Sequence, residues 1–276
     1  VQGRALGADL KGGGATIIHH PDVRRMLLGM KAQIEAGRAL TYRAAAALDT
    51  AKRHPDPAER QAAHRLVDLL TPVGKAWCTD VGCDVASTGV QIHGGMGFVE
   101  ETGAAQHLRD ARIAPIYEGT NGIQAADLVF RKVGRDGGAA ARDFIAEMSA
   151  LDSVLAAADG GDLAAIRVRL ADGVEALATA TDWVAETAKA DAAATAAGSA
   201  HYLRMFGLVA GGFMMARAAL EAKADLDAVT GDAAFARAKL TTARFFADHL
   251  LPQARGLLVP LTEGHRTVMA MDEEAF

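Results

Sequence analysis

Aromatic residues are scarce in this chain: 5% of 276 residues, with only 7 prolines and 2 cysteines. So little proline, together with a hydrophobic half, excludes collagen-like and disordered chains. Two cysteines cannot build a disulfide framework, and the Cys78 to Cys83 spacing matches neither a CxxC redox pair nor a zinc knuckle. A reducing, cytoplasmic setting is expected. Basic excess is lacking too. Lys and Arg number 29 against 34 Asp and Glu, a net charge of −5, which argues against nucleic acid or an anionic membrane as partner. The sequence shows no apolar run long enough to span a bilayer, no signal-peptide pattern, no segment alternating like a strand and no fixed-period repeat.

What remains is alanine-rich helical sequence, and the expected fold is all-α. Val23, Met26, Leu27, Met30 and Ile34 recur at helical spacing, predicting a helix from about Asp22 to Lys52. In His54-Pro55-Asp56-Pro57, Asp56 suits an N-cap, Pro57 the first helical position, and Glu59 would close a capping box. The second helix is expected to reach about Gly89, with Pro72 a possible kink. Ile113–Tyr117 reads as extended, and a further helix is expected from Thr120 or Asn121 to Lys132. Arg135-Asp136-Gly137-Gly138 reads as a boundary, giving domains at 1–134 and 135–276. Beyond it, helices are expected at about 139–157, 162–194, 198–224 and 232–250. Val1-Gln2-Gly3-Arg4 carries no initiator Met, and the chain reads as a C-terminal portion of a longer protein. Gly12-Gly13-Gly14 reads as a loop rather than a phosphate cradle, since no Lys-Ser/Thr follows.

Two stretches use glycine and polar residues where a plain bundle would not. In Gln91-Ile92-His93-Gly94-Gly95-Met96-Gly97-Phe98, glycines would let backbone amides approach an anion, although an inter-helix turn explains the residues equally well. In Ile116-Tyr117-Glu118-Gly119-Thr120-Asn121, a carboxylate sits just outside a helix start. It suits a general base if partly desolvated, or a solvated partner of the helix dipole.

The whole run VQIHGGMGFVEETGAAQHLRDARIAPIYEGTNGIQ (90–124) closely resembles the C-terminal signature of acyl-CoA dehydrogenases. That family carries Q-[IV]-x-G-G-x-G-[FY], then R-D-[AS]-[RK]-I, then I-Y-E-G-T before a helix. Here these are Gln91 to Phe98, Arg109 to Ile113 and Ile116 to Thr120. The resemblance covers about residues 1–133 and implies a four-helix-bundle C-terminal domain, followed by an additional helical domain. It is strongest toward the long bacterial branch of the family.

The resemblance implies α,β-dehydrogenation of an acyl-CoA thioester, with Glu118 as the base that removes the α-proton and FAD as hydride acceptor. It places Gln91, Gly94 and Gly95 against the ADP half of FAD, generally that of a neighbouring subunit, and Thr120 against flavin. Tyr117 and Gly119 fall on the substrate side, and the Glu118 N–H becomes a donor to the enolate oxygen. Many relatives have Gln two residues after the Thr. Here that position is Gly122, and Asn121 is a candidate replacement for the contact. The family's N-terminal and middle domains are not in this sequence. Implied partners are the acyl-CoA, an electron-transfer flavoprotein and at least one further subunit. An acyl-CoA oxidase and a non-catalytic assembly subunit derived from the family are the alternatives.

The remaining candidates read as structural. Asp110 with Arg112 is expected to form an ion pair or brace the loop, and His93 to serve the backbone. Cys78 and Cys83 are expected as small core residues, and Trp77, Trp183, Phe206 and Phe213 as packing. His19 and His20 lack a third metal ligand at useful spacing.

Overall fold

The computed structural model describes residues 16–276, so Gly12–Gly14 lies outside the described residues. Helices α1 (Pro21–Arg53) and α2 (Pro57–His93) pack side by side as a long hairpin. As expected, the Asp56 carboxylate accepts the Ala58 N–H at 2.9 Å, with Pro57 at the first helical position. The reciprocal half of the capping box is not made. The Asp56 N–H donates to His54 Nδ1 at 3.2 Å instead, and Glu59 has no orphan donor left to satisfy there. α2 continues through Pro72 and passes the expected end at Gly89. It stops at Gly94, whose φ of 62° and ψ of −146° are essentially closed to any residue with a side chain.

A single turn, α3 (Gly95–Phe98), leads to α4 (Ala104–Arg112) and then to α5 (Asn121–Ala126). α5 runs directly into a π-helix at Asp127–Val133. The Gly134 N–H reaches Val129 O and the Gly138 N–H reaches Val133 O, each at 2.8 Å and five residues back. Gly134 is required here, since a Cβ would lie 2.8 Å from Val129 O.

Four helices follow: α6 (Ala139–Ala157), α7 (Gly161–Ala190), α8 (Ala192–Ala228) and α9 (Ala233–His249), with short turns to Val268. No strand is present among the described residues, so the chain is all-α. The α7–α8 break falls at Asp191, earlier than the expected 194–198. The Asp191 carboxylate accepts the Ala194 N–H at 2.9 Å. An Asp cap sets a boundary that alanine, equally content on either side, cannot mark.

One apolar cluster runs through the molecule, joining Leu69, Leu70 and Trp77 of α2 to Leu128 and Val129, Phe144 of α6, Leu177 of α7 and Phe206 and Phe213 of α8. At its centre Trp77, 4% exposed, lies on the glycines of α8. A Cβ on Gly207 would sit 2.3 Å from Trp77 Cγ, and one on Gly211 2.6 Å from Cη2. Burying an indole of about 200 Å² contributes on the order of 5 kcal/mol before conformational entropy is counted. α8 is long and apolar enough by length and composition to cross a bilayer, a feature that Arg204 and Arg217 interrupt in the sequence. However, 72% of its most apolar stretch is buried within the fold, where it serves as the core helix. On the outside, Glu35 of α1 bridges Lys31 and Lys239 of α9, and Arg43 of α1 reaches both carboxylate oxygens of Glu147 at 3.1 Å.

Candidate active site

The glycine loop closes the end of α2. The Gly94 N–H returns to Gln91 O at 3.0 Å and the Gly97 N–H to Gly94 O at 2.8 Å. Its three glycines divide by role. Gly97 is structural, because a Cβ there would meet Val90 O at 2.2 Å. Gly94 and Gly95 face open space, with no atom within 4 Å of where a Cβ would stand, and the Gln91 side chain beside them is exposed. That is an open cradle where a ligand can approach the backbone closely. His93 Nδ1 lies 2.8 Å from Gly89 O, so this imidazole serves the backbone as expected.

The Glu118 loop is built differently. Ile113–Tyr117 is not extended: the Ile116 and Tyr117 N–H groups both return to Ile113 O, at 2.9 and 3.1 Å. The end of α4 must satisfy its own carbonyls, and a succession of tight turns does so. Pro115 O then accepts the Asn121 N–H at 2.9 Å, which draws the loop shut beneath Glu118. Glu118 and Gly119 both have positive φ, 55° and 79°. For Glu118 this left-handed conformation costs roughly 1–2 kcal/mol, so the surroundings must hold it.

Two side chains do. Gln124 Nε2 donates to Glu118 O at 3.3 Å, and Lys75 Nζ on α2 donates to Gly119 O at 2.7 Å. Lys75 also donates to Asn121 Oδ1 at 2.8 Å, while Asn121 Nδ2 donates to Ala76 O at 3.1 Å and Asp80 Oδ1 at 2.7 Å. Thr79 Oγ1 completes the group, 3.0 Å from Asn121 Nδ2. The Glu118 and Tyr117 side chains stand exposed above this anchored backbone.

Asn121 is therefore turned inward, its amide engaged on both ends by Lys75, Ala76, Thr79 and Asp80 of α2. Thr120 caps α5, its Oγ1 accepting the Ile123 N–H at 3.3 Å. Sequence reasoning missed Lys75, Thr79 and Asp80. Only their spacing on one face of a helix otherwise buried through Trp77 and Val81 hinted at a task.

The expected pair of Asp110 with Arg112 does not form. Arg109 instead reaches back to Glu100 with two parallel bonds of 3.0 and 2.7 Å, bracing the short α3–α4 link. Arg109 precedes a helix end, where its long fork can reach a loop carboxylate that Arg112 cannot. Burial pushes the Cys78 thiol up to about 11 and raises Cys83 as well, so both are neutral thiols rather than nucleophiles.

The two signature elements meet α2 about three turns apart, since Asp80 and Gln91 are separated by roughly 16 Å of helical rise. Between them runs a groove. A cavity of about 740 Å³ holds Thr120, Asn121 and Gly122 on one side and Arg204, Leu250 and Gln253 on the other. A neighbouring cavity of about 460 Å³, which shares Gln33, Leu250 and Gln253, ends at Gln91.

Residues 5–132 match the family model described as acyl-CoA dehydrogenase, C-terminal domain, and residues 140–272 the one described as acetyl-CoA dehydrogenase C-terminal like. The chain is 48% identical to 3-methylmercaptopropionyl-CoA dehydrogenase of Ruegeria pomeroyi over 85% of its own length and 40% of that protein. It is 33% identical to a broad-specificity linear acyl-CoA dehydrogenase of Mycobacterium tuberculosis, over 95% of this chain and 44% of the relative. The chain thus spans less than half the length of these curated relatives. In fold it is similar to an acyl-CoA dehydrogenase from Bacillus anthracis solved with FAD, with a TM-score of 0.64 and 15% identity over 92% of this chain and 44% of that one. The signature residues, the helical fold and these matches agree: the chain belongs to the acyl-CoA dehydrogenase family, whose C-terminal helical part it matches.

Proposed function

We propose that this chain supplies the catalytic base and part of the cofactor site of an FAD-dependent acyl-CoA dehydrogenase, with Glu118 removing the α-proton of an acyl-CoA thioester. The observation that carries the reading is the Glu118 loop, a carboxylate on a backbone locked at positive φ from two sides and left open above. A thioester α-proton is weakly acidic, so its base must be held in contact with it and screened from water. In this reading the Glu118 N–H donates to the thioester oxygen as negative charge develops there. Tyr117 and Gly119 flank the acyl group.

The open cradle at Gly94 and Gly95, with Gln91 beside it, fits the ADP half of FAD, since no side chain obstructs the close approach of a pyrophosphate to the backbone there. When bound, FAD accepts the β-hydrogen as hydride. We assign this cradle to the flavin of a neighbouring subunit, which makes the enzyme at least a dimer, and an electron-transfer flavoprotein as the onward acceptor. Both signature elements lie in 1–134, which we read as one domain, with 135–276 an additional helical domain packed on it through the shared apolar cluster. Two neutral, unpaired thiols fit a reducing, cytoplasmic setting.

The first test is a visible spectrum beside an intact mass of the natural protein. A flavin band on a protein of the relatives' length supports the enzyme, and a colourless protein at the mass of this chain alone supports an assembly subunit. In the flavoprotein, E118Q is expected to keep its flavin and lose at least about 10³-fold in the rate at which acyl-CoA bleaches it. Bleaching at the ordinary rate removes Glu118 as the base.

A further inference from the structure

We propose that Lys75 is a positioning residue for Glu118, acting with Asn121 as a clamp that fixes the Glu118–Gly119 turn against α2. The inference rests on the reading of Glu118 as the base. The two Lys75 contacts are to neutral oxygens distant in sequence, Gly119 O at 2.7 Å and Asn121 Oδ1 at 2.8 Å. Among the described residues this half-buried ammonium forms no salt bridge. A surface lysine ordinarily makes loose ion pairs or none. This one is committed to a carbonyl one residue beyond the base.

The clamp has a rigid footing. Asn121 is bonded to Ala76 O, Thr79 and Asp80, all within the stretch of α2 that the opposite face anchors through Trp77. The clamp therefore stands on the backbone and side chains of a long helix rather than on another loop. Gln124 holds only the Glu118 carbonyl, at a longer 3.3 Å, and belongs to the loop's own helix. Without Lys75 the turn keeps that local bond and loses its connection to the scaffold at Gly119. Proton abstraction from carbon is sensitive to such a loss, since a displacement of about 1 Å from the reactive geometry costs on the order of 10²-fold.

The test compares K75M, N121A, the double variant, K75R and E118Q in the flavin-loaded enzyme containing this chain. The probes are butyryl-CoA and 3-methylmercaptopropionyl-CoA. Anaerobic bleaching, thioester affinity, flavin content, melting midpoint and exchange of the α-hydrogen with deuterated water are read for each. K75M is expected to slow bleaching and α-hydrogen exchange together by about 10- to 100-fold, with affinity within about threefold of wild type. N121A is expected to behave alike. The double variant should be no slower than the worse single one, because both remove the same clamp. K75R, which keeps the reach and the donors, should recover most of the rate.

Wild-type bleaching by K75M, losses that multiply in the double variant, or a lowered melting midpoint at unchanged rate would each overturn the clamp. Loss of flavin from K75M would overturn it as well, by assigning Lys75 to the cofactor or the fold. If E118Q bleaches normally, the base assignment itself fails. If E118Q is inert and K75M is normal, only the clamp does.

Discussion

Residues 73–81 of α2 have two faces, and they are used in opposite ways. Val73, Trp77 and Val81 are buried against the core, where indole and glycine backbone fit with no space for a methyl group. Lys75 and Thr79, on the other face, hold a loop that is exposed and made of turns. The first face is held by packing, non-directional and proportional to area. The second is held by a few directed hydrogen bonds to specific carbonyls. One helix thus ties a stable interior to a chemically useful surface, and damage to either face should be separable in experiment.

The sharpest test of that separation is Gly207→Ala. Its Cβ would overlap the Trp77 ring at 2.3 Å, and the expected cost is on the order of 3 kcal/mol of stability. Thermal melting reads the loss, while bleaching per intact flavin should stay near wild type. A fall in rate as large as the fall in stability would show the two faces to be coupled. Gly119→Ala tests the other side. It places a Cβ at positive φ, 2.7 Å from Gln124 Nε2, and should cost about 1–2 kcal/mol locally. It should slow bleaching about tenfold with little change in melting, and an unaffected rate would show that the loop tolerates displacement.

The smallest effect concerns the α1–α9 tie. Burial acts to raise the Glu35 carboxyl, but the ammonium groups of Lys239 and Lys31 outweigh it and hold Glu35 below its ordinary value. A lowered carboxylate adds stability that is complete above the unfolded value of about 4.3 and lost as pH falls through the folded one. Wild type should therefore melt above E35Q near neutral pH, and the gap should shrink as pH falls below the unfolded value of about 4.3. A constant gap across that range would mean the tie is packing rather than charge.

Much of this was legible in the sequence, for local reasons. Asp56, Pro57 and Thr120 announce helix starts because the capping chemistry lies within three residues of the cap. The Glu118 loop was recognisable as a motif, but the tight turns at Ile113–Tyr117 were not, because Pro115 is compatible with both forms. The α7–α8 boundary escaped because alanine gives no contrast between faces across 185–200. Lys75 escaped for another reason: its partners are 44 and 46 residues away, and no periodicity within α2 reveals what will be folded over it. Likewise Arg109 finds Glu100 only because α3 and α4 double back.

The π-helix at 127–133 sets the phase between what comes before and after it. Closing on the fifth residue back, it takes in more chain per turn than the α-helix that feeds it. In an α-helix each residue rotates the chain by about 100°. Removing one residue here would let the segment relax to an ordinary ladder and swing α6 and its successors by about that angle relative to α5. Leu128, Val129 and Val133 would leave their places in the core together. The Glu118 loop and the helices behind it are meshed like two gears through a surplus tooth. A single-codon deletion at this point is a shift of frame in three dimensions, although every residue on either side keeps its identity.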